Sequence, residues 1–212
     1  MASTEKPRVT PGSDPHETFG SSNVSWGSDP GVTRGFFLDL AGVCNGATYR
    51  ASPHYDERPE GEAITLVVIH NISLPPYEFG GPYIDDLFLG CLDPAVHPFF
   101  REIEGLRVSS HFLVRRDGEL VQYVPTELRA WHAGASTWKG RERCNDFSIG
   151  IELEGADDVP FAEPQYETLQ ALLAALGERY GALDLAGHSD IAPGRKTDPG
   201  PWFEWARIGR PG

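Results

Sequence analysis

Cysteine is scarce in this 212-residue chain: Cys44, Cys91 and Cys144 are the only three, and none forms a C-x-x-C pair. So sparse and odd a set argues against a disulfide scaffold and a thiolate zinc site, and fits reduced thiols in a cytoplasm. Basic residues are also few, 18 Lys and Arg against 31 Asp and Glu, which leaves a formal net charge of -13. No Lys/Arg run builds the cationic face that nucleic acid or an anionic membrane selects, so neither is an expected partner. No run of about 18 apolar residues exists to span a bilayer. The opening MASTEKPRVTPGSDPHETFG lacks the apolar core of a secretory signal. GFFLDLAGVC, ending at Cys44, has the outline of a lipoprotein cleavage site, but Asp39 interrupts its apolar run and Val43 is bulky beside the cut. A cytoplasmic location is the expectation.

Hydrophobic residues make up 40% of the chain and charged residues 23%, as in an ordinary globular protein, and the length suits one domain with a sizeable core. Eighteen prolines and 24 glycines point to many loops rather than a bundle of long helices. Residues 1–34 are rich in Ser, Gly, Pro and Asp, and residues 1–46 read as a flexible or loosely packed arm before a domain over 47–212.

Residues 64–70, ITLVVIH, are apolar and β-branched, which predicts a buried strand ending at His70. A Pro/Gly-rich loop follows, and residues 83–104 carry helical signals broken by Pro94 and Pro98. Residues 107–124 predict a β-hairpin around Asp117-Gly118. In FSIGIELEG, Ile149, Ile151 and Leu153 alternate with Ser148, Gly150, Glu152 and Glu154, so this is a strand with both glutamates on one face. Leu169, Leu172, Leu173 and Leu176 recur at helical spacing within residues 164–180, with Pro164 suited to the first turn and Gly181 to the end. The sum is an α/β (α+β) single domain with a central mixed β-sheet.

Two of the seven histidines stand where a scaffold fixes side chains: His70 at a strand end, and His188 in a loop ten residues before Asp198. Two imidazoles and a carboxylate suit Zn²⁺, with a fourth position for water. Spacing alone would equally allow unrelated loop residues, and no H-E-x-x-H motif is present. Nor does spacing choose between Glu152 and Glu154 as a proton-transfer group. His111, on a probable strand, reads as a packed or substrate-facing residue before a spare ligand. Asp190 can support the nearby His188 from behind or be incidental. Cys144 reads as a buried thiol.

The segments VVIHNISLPPYEFGG, DPAVHPFF, LRVSSHFLVRRDGELVQYV, RAWHAG, GRERCNDFSIGIELEG and GHSDIAPGRKTDPGP resemble the zinc-dependent N-acetylmuramoyl-L-alanine amidases. The likeness is to the cytosolic AmpD type, which acts on 1,6-anhydro-muramyl peptides; the family also takes in T7-lysozyme-type amidases and the peptidoglycan recognition proteins. HNISLPP with GHSDIAPGRKTDPGP is far more specific than a short motif. The resemblance implies a mixed sheet flanked by helices, with Zn²⁺ held by His70, His188 and Asp198. It implies Glu152 as the acid/base and Lys196 as the group that stabilises the transition state. Asn71, Arg107, Trp131, His132 and Arg143 fall in matching segments and are implied to line the substrate cleft, where arginines suit the carboxylates of a muramyl peptide. The implied reaction is hydrolysis of the lactyl–L-alanine amide of a small muropeptide, by a monomer, in cell-wall recycling. A lytic amidase on intact wall and a non-cutting muramyl-peptide binder are the alternatives. Neither an export signal nor a wall-binding domain supports the first, and all three ligand positions are filled against the second.

Overall fold

The two strand-like runs after residues 64 and 147 become neighbours at the middle of one sheet. The computed structural model describes residues 35–210; residues 1–34, the larger part of the expected arm, lie outside the described residues. In chain order the elements are β1 (Thr48–Tyr49), β2 (Tyr55–Glu57), β3 (Leu66–Ile72), α1 (Tyr83–Phe88), α2 (Pro98–Glu102), β4 (Phe112–Val114), β5 (Leu120–Gln122), β6 (Leu128–Ala130), β7 (Thr137–Trp138), β8 (Arg141–Glu142), β9 (Ser148–Glu154), α3 (Glu163–Tyr180), β10 (Asp184–Gly187) and α4 (His188–Ile191). Short 3-10 turns cover Cys144–Asp146 and Trp205–Ile208.

The main sheet has the order β1-β5-β4-β9-β3-β10. Only the β4–β5 pair is antiparallel; β4, β9, β3 and β10 run parallel to one another, so the sheet is mixed as expected. Two small antiparallel ladders, β2–β6 and β7–β8, stand apart from it. Period-two alternation divides the sheet's faces. Val67, Ile69, Phe112, Val114, Ile149, Ile151 and Leu153 meet Leu169, Leu172 and Leu176 of α3 in one core. Burying each such side chain contributes roughly 2 kcal/mol. On the opposite face, Leu113, Val121 and Tyr123 pack under α1 and α2, and Leu66, Val68 and Ala186 pack towards Ile191 of α4.

The start of α3 combines Pro164 in its first turn with Gln165, whose Oε1 accepts the Ala162 N–H at 2.9 Å. Gly181 ends it with φ +80°. The hairpin turns at Asp117-Gly118 as expected, but its strands are only three residues long. Residues 107–111 do not extend the first arm because their polar groups go elsewhere. The Ser109 N–H donates to the Trp131 carbonyl at 3.2 Å and the His111 N–H to the Gly150 carbonyl at 3.1 Å.

Residues 35–46, assigned by composition to the arm, pack on the domain. Phe36 and Leu38 lie against the α3 core, and Cys44 is buried within it. The Cys44 N–H donates to Gln122 Oε1, and Gln122 Nε2 donates to the Gly42 carbonyl, each at 2.8 Å. The apolar patch from residue 35 outweighs the Gly- and Asp-rich composition around it, and the boundary drawn at residue 47 falls inside a packed segment. Among the described residues no helix is long and apolar enough to cross a membrane.

His111 is fully buried in the sheet, in the packed role expected of it. Its Nδ1 accepts the Gly150 N–H at 3.0 Å and its Nε2 donates to the Leu128 carbonyl at 3.1 Å, so both ring nitrogens are satisfied in the neutral form. Burial, with the Arg58 charge beside it, pushes the imidazole down to about 3. The unfolded chain therefore binds this proton first, and folding stability falls as pH falls from about 6.5 towards 3. Urea midpoints of metal-free protein should drop across that window, with His111 adding up to about 1.4 kcal/mol per pH unit. A midpoint that stays level between pH 6.5 and 4.5 would contradict a neutral buried His111.

Candidate metal centre and active site

Three parallel strands deliver the chemistry to their carboxyl ends, where open α/β sheets bind ligands. His70 is the fifth residue of β3, and its register partner on β9 is Glu152. Gly187, at the end of β10, pairs with Ile69, and the next residue, His188, opens α4. A Cβ at Gly187 would stand 2.9 Å from Pro199 Cδ, so glycine lets the DPGP loop close over the strand end. The Ser189 N–H donates to the Asp198 carbonyl at 2.9 Å and fixes that loop.

The result is a triangle of donor atoms. His70 Nδ1 lies 3.0 Å from His188 Nδ1 and 3.0 Å from Asp198 Oδ2, and His188 Nδ1 lies 3.1 Å from the same oxygen. Three acceptor atoms this close repel one another unless a proton or a cation lies among them. A tetrahedral site with bonds of about 2.0–2.1 Å has edges of about 3.3 Å, so the spacing suits one small ion. Among the described residues these three form the group able to hold a metal. Both histidines are buried and Asp198 is half-buried.

The charge states agree. Burial pushes His70 down to about 4 against the pull of Asp198, which leaves a neutral imidazole with a free lone pair. Burial opposes ionisation of Asp198, but the neighbouring His188 and His70 outweigh it and hold the carboxyl well below the usual range. Metal ligands must be deprotonated in this way. Outer hydrogen bonds set the tautomers. His188 Nε2 lies 3.1 Å from the Ala133 carbonyl, which can only accept, so the proton sits on Nε2 and Nδ1 is bare. His70 Nε2 lies 2.9 Å from His132 Nδ1, and His132 Nε2 lies 3.2 Å from Ser148 Oγ. Protons on the two Nε2 atoms satisfy this relay and again leave His70 Nδ1 bare.

Glu152 is buried beside this cluster, and its Oε2 has no hydrogen-bond partner. Burial and then the Asp198 charge push its carboxyl well above the ordinary range, partly offset by Lys196. Glu154, on the same face, is fully engaged: Gly80 N–H and Arg115 Nη1 (3.2 Å) donate to Oε1, and the Arg116 N–H donates to Oε2 at 3.1 Å. The structure thus separates two glutamates that spacing could not. Glu152 is unpartnered and next to His70, whereas Glu154 is a structural counter-ion. Lys196 is exposed, and its ammonium makes no hydrogen bond or ion pair among the described residues; its charge reaches both His70 and Glu152.

The five expected cleft residues divide. His132 stands behind His70 as its outer partner; its ring lies against Gly150, where a Cβ would come within 2.4 Å of Cγ. Both amide protons of Asn71 are used, on Asp157 Oδ1 at 2.7 Å and the Pro199 carbonyl at 3.1 Å, so this residue braces the Asp198 loop. Trp131 is half-buried, while Arg107 and Arg143 are exposed. None of those three touches the ligand triangle.

Two further supporting residues, Asn145 and Arg195, carry no spacing signal, because each acts across the chain. Asn145 Oδ1 accepts the N–H groups of His132 and Ala133, at 3.2 and 2.8 Å. Arg195 Nη2 donates to the carbonyls of Ala133 and Ala135, both at 2.7 Å. Asp190 supports His188 by accepting the Gly187 N–H at 2.8 Å, which caps the start of α4. Cys144 is a buried free thiol whose pKa burial raises.

A His₂Asp donor triangle beside an unpartnered buried carboxyl is the arrangement of a mononuclear hydrolytic metal centre. The chain belongs to the N-acetylmuramoyl-L-alanine amidase family, whose profile it matches over residues 60–201. It is 63% identical over 165 residues to the 1,6-anhydro-N-acetylmuramyl-L-alanine amidase AmpD of Escherichia coli K12, covering 77% of this chain and 90% of that protein. A crystal structure of selenomethionine AmpD superposes with a TM-score of 0.79 at 59% identity, over 81% of this chain and 97% of that one. The Escherichia coli amidase AmiD, in complex with anhydro-N-acetylmuramic acid-L-Ala-D-γ-Glu-L-Lys, is similar at a TM-score of 0.51 and 32% identity, over 72% of this chain and 59% of that one.

If His132 orients His70, His132→Phe should weaken metal binding by about 10–100-fold in chelator competition, and Ser148→Ala by less. Unchanged affinity in His132→Phe would show that the relay does not support the ligand.

Proposed function

We propose that this chain is a zinc-dependent amidase that hydrolyses the bond between the lactyl group of 1,6-anhydro-N-acetylmuramic acid and L-alanine of the stem peptide. It acts as a monomer in the cytoplasm, on small muropeptides recycled from the wall. The observation that carries the reading is the complete His70–His188–Asp198 triangle with unpartnered Glu152 beside it, in a chain 63% identical to an enzyme of that name.

His70, His188 and Asp198 would hold a zinc ion, which when bound would supply Lewis-acid chemistry towards a water and the amide carbonyl. Glu152 Oε2 takes the proton from the attacking water and returns it to the leaving alanine nitrogen. Burial raises its proton affinity well above that of an ordinary carboxylate, which makes it a stronger proton acceptor. The Lys196 ammonium, free of other partners, faces the oxygen on which charge develops. Asn71 braces the loop that carries Asp198. Trp131, Arg143 and Arg107 line the cleft that receives sugar and peptide, and the guanidinium forks take stem-peptide carboxylates.

Purified 1,6-anhydro-muramyl tripeptide, assayed beside intact peptidoglycan with and without chelator, tests this reading. Chelator-sensitive release of free peptide from the soluble substrate, with little from the wall, is the expected result. Comparable cleavage of intact wall would make the protein a lytic amidase, and binding without cleavage by zinc-loaded protein would make it a recognition protein. Glu152→Gln should lower kcat by about 10²–10⁴-fold while retaining metal.

A further inference from the structure

Trp131 and Arg143 stand on separate segments, yet a single chain of charged contacts joins them. Trp131 Nε1 donates to Asp56 Oδ1 at 3.2 Å. Asp56 is the register partner of Arg129 across β2 and β6. That pair is bidentate, with Arg129 Nε to Oδ1 and Nη2 to Oδ2 both at 2.6 Å. The remaining nitrogen of the guanidinium, Nη1, donates to Asp146 Oδ1 at 2.8 Å. The second oxygen of Asp146 pairs with Arg143 Nε at 3.2 Å.

Both ends of this ladder are held in ways that favour one orientation. The indole of Trp131 stacks on His54, with ring centroids 5.9 Å apart and planes 16° apart. The backbone N–H of Trp131 donates to Ser109 Oγ at 3.0 Å. Arg143 has φ +63°, a left-handed conformation uncommon for a residue with a side chain. Its side chain is 70% exposed, and its terminal guanidinium nitrogens make no hydrogen bond among the described residues. The ladder also adjoins the metal centre. Asn145, next to Asp146, holds the backbone of His132, and His132 touches His70.

We propose that Asp56, Arg129 and Asp146 are positioning residues that set the indole of Trp131 and the guanidinium of Arg143 as two walls of the muramyl-peptide cleft. The indole offers a flat face to the sugar and the guanidinium a fork to a stem-peptide carboxylate. Surface ion pairs in isolation contribute little to stability, but a bidentate pair within a network fixes geometry. Here the geometry fixed is that of the two groups facing the substrate. The proposal rests on the reading that Trp131 and Arg143 line that cleft.

The test is steady-state kinetics on 1,6-anhydro-muramyl tripeptide, with bound metal measured for every variant. Asp56→Ala should raise KM about tenfold and leave kcat and metal content unchanged, as loss of uniform binding does. In a Trp131→Ala background it should add little, because the two act as one unit. Arg129→Lys, which keeps the charge and loses the fork, should raise KM by a smaller factor, and it serves if Asp56→Ala does not fold. If Trp131→Ala raises KM while Asp56→Ala and Arg129→Lys do not, the ladder is only structural and the proposal fails. If Trp131→Ala and Arg143→Ala both leave KM unchanged, the cleft reading itself falls, and the ladder's role falls with it.

Discussion

Two imidazole nitrogens and a carboxylate oxygen held 3.0–3.1 Å apart have no reason to stay together in water. What holds them is the parallel register of β3, β9 and β10. Ile69 pairs with Ile151 on one side and with Gly187 on the other, so the residues that follow these three are His70, Glu152 and, opening α4, His188. Slipping one strand by a single residue would turn its group into the α3 core. The apolar alternation that buries Ile149, Ile151 and Leu153 against α3 is therefore also what aims Glu152 at the metal centre.

Around this triangle, the chain answers each buried charge locally. Glu154 accepts from Arg115, Arg116 and Gly80, and Arg115 also pairs with Asp85 at 2.8 Å. Arg58 donates to the backbone carbonyls of Thr126, Asn145, Asp146 and Ser148, and burial pulls its guanidinium down to about 10. These contacts tie β2 to the 3-10 turn that carries Asn145 and to the first residue of β9, the segments that hold His132 from both sides. Against that background the unpaired Oε2 of Glu152 stands out. A buried carboxyl oxygen without a partner costs stability, and reaction sites are where such costs persist.

Much of the fold was legible in the sequence. The runs at 64–70, 147–155 and 164–180 formed β3, β9 and α3, because hydrophobic period alone specifies which face is buried. Motif likeness was needed for the triangle, since 118 residues separate His70 from His188 and only the sheet order brings them together. The choice of Glu152 over Glu154 followed the same motif, and its physical reason appears only in the contacts of Glu154. The true place of His132 was not legible. The resemblance implied a cleft-lining residue, whereas the absence of a Cβ at Gly150 lets its ring lie behind His70. Composition also hid the packing of residues 35–46, where a short apolar patch sits among turn formers.

The central claim is that His70, His188 and Asp198 form one zinc site on which hydrolysis depends. Elemental analysis of purified protein, wild type beside Asp198→Ala, tests it most directly, with circular dichroism as the check on folding. The account predicts one zinc per wild-type chain, and a folded Asp198→Ala that holds none and cleaves nothing. A variant that keeps stoichiometric zinc and full rate would contradict it.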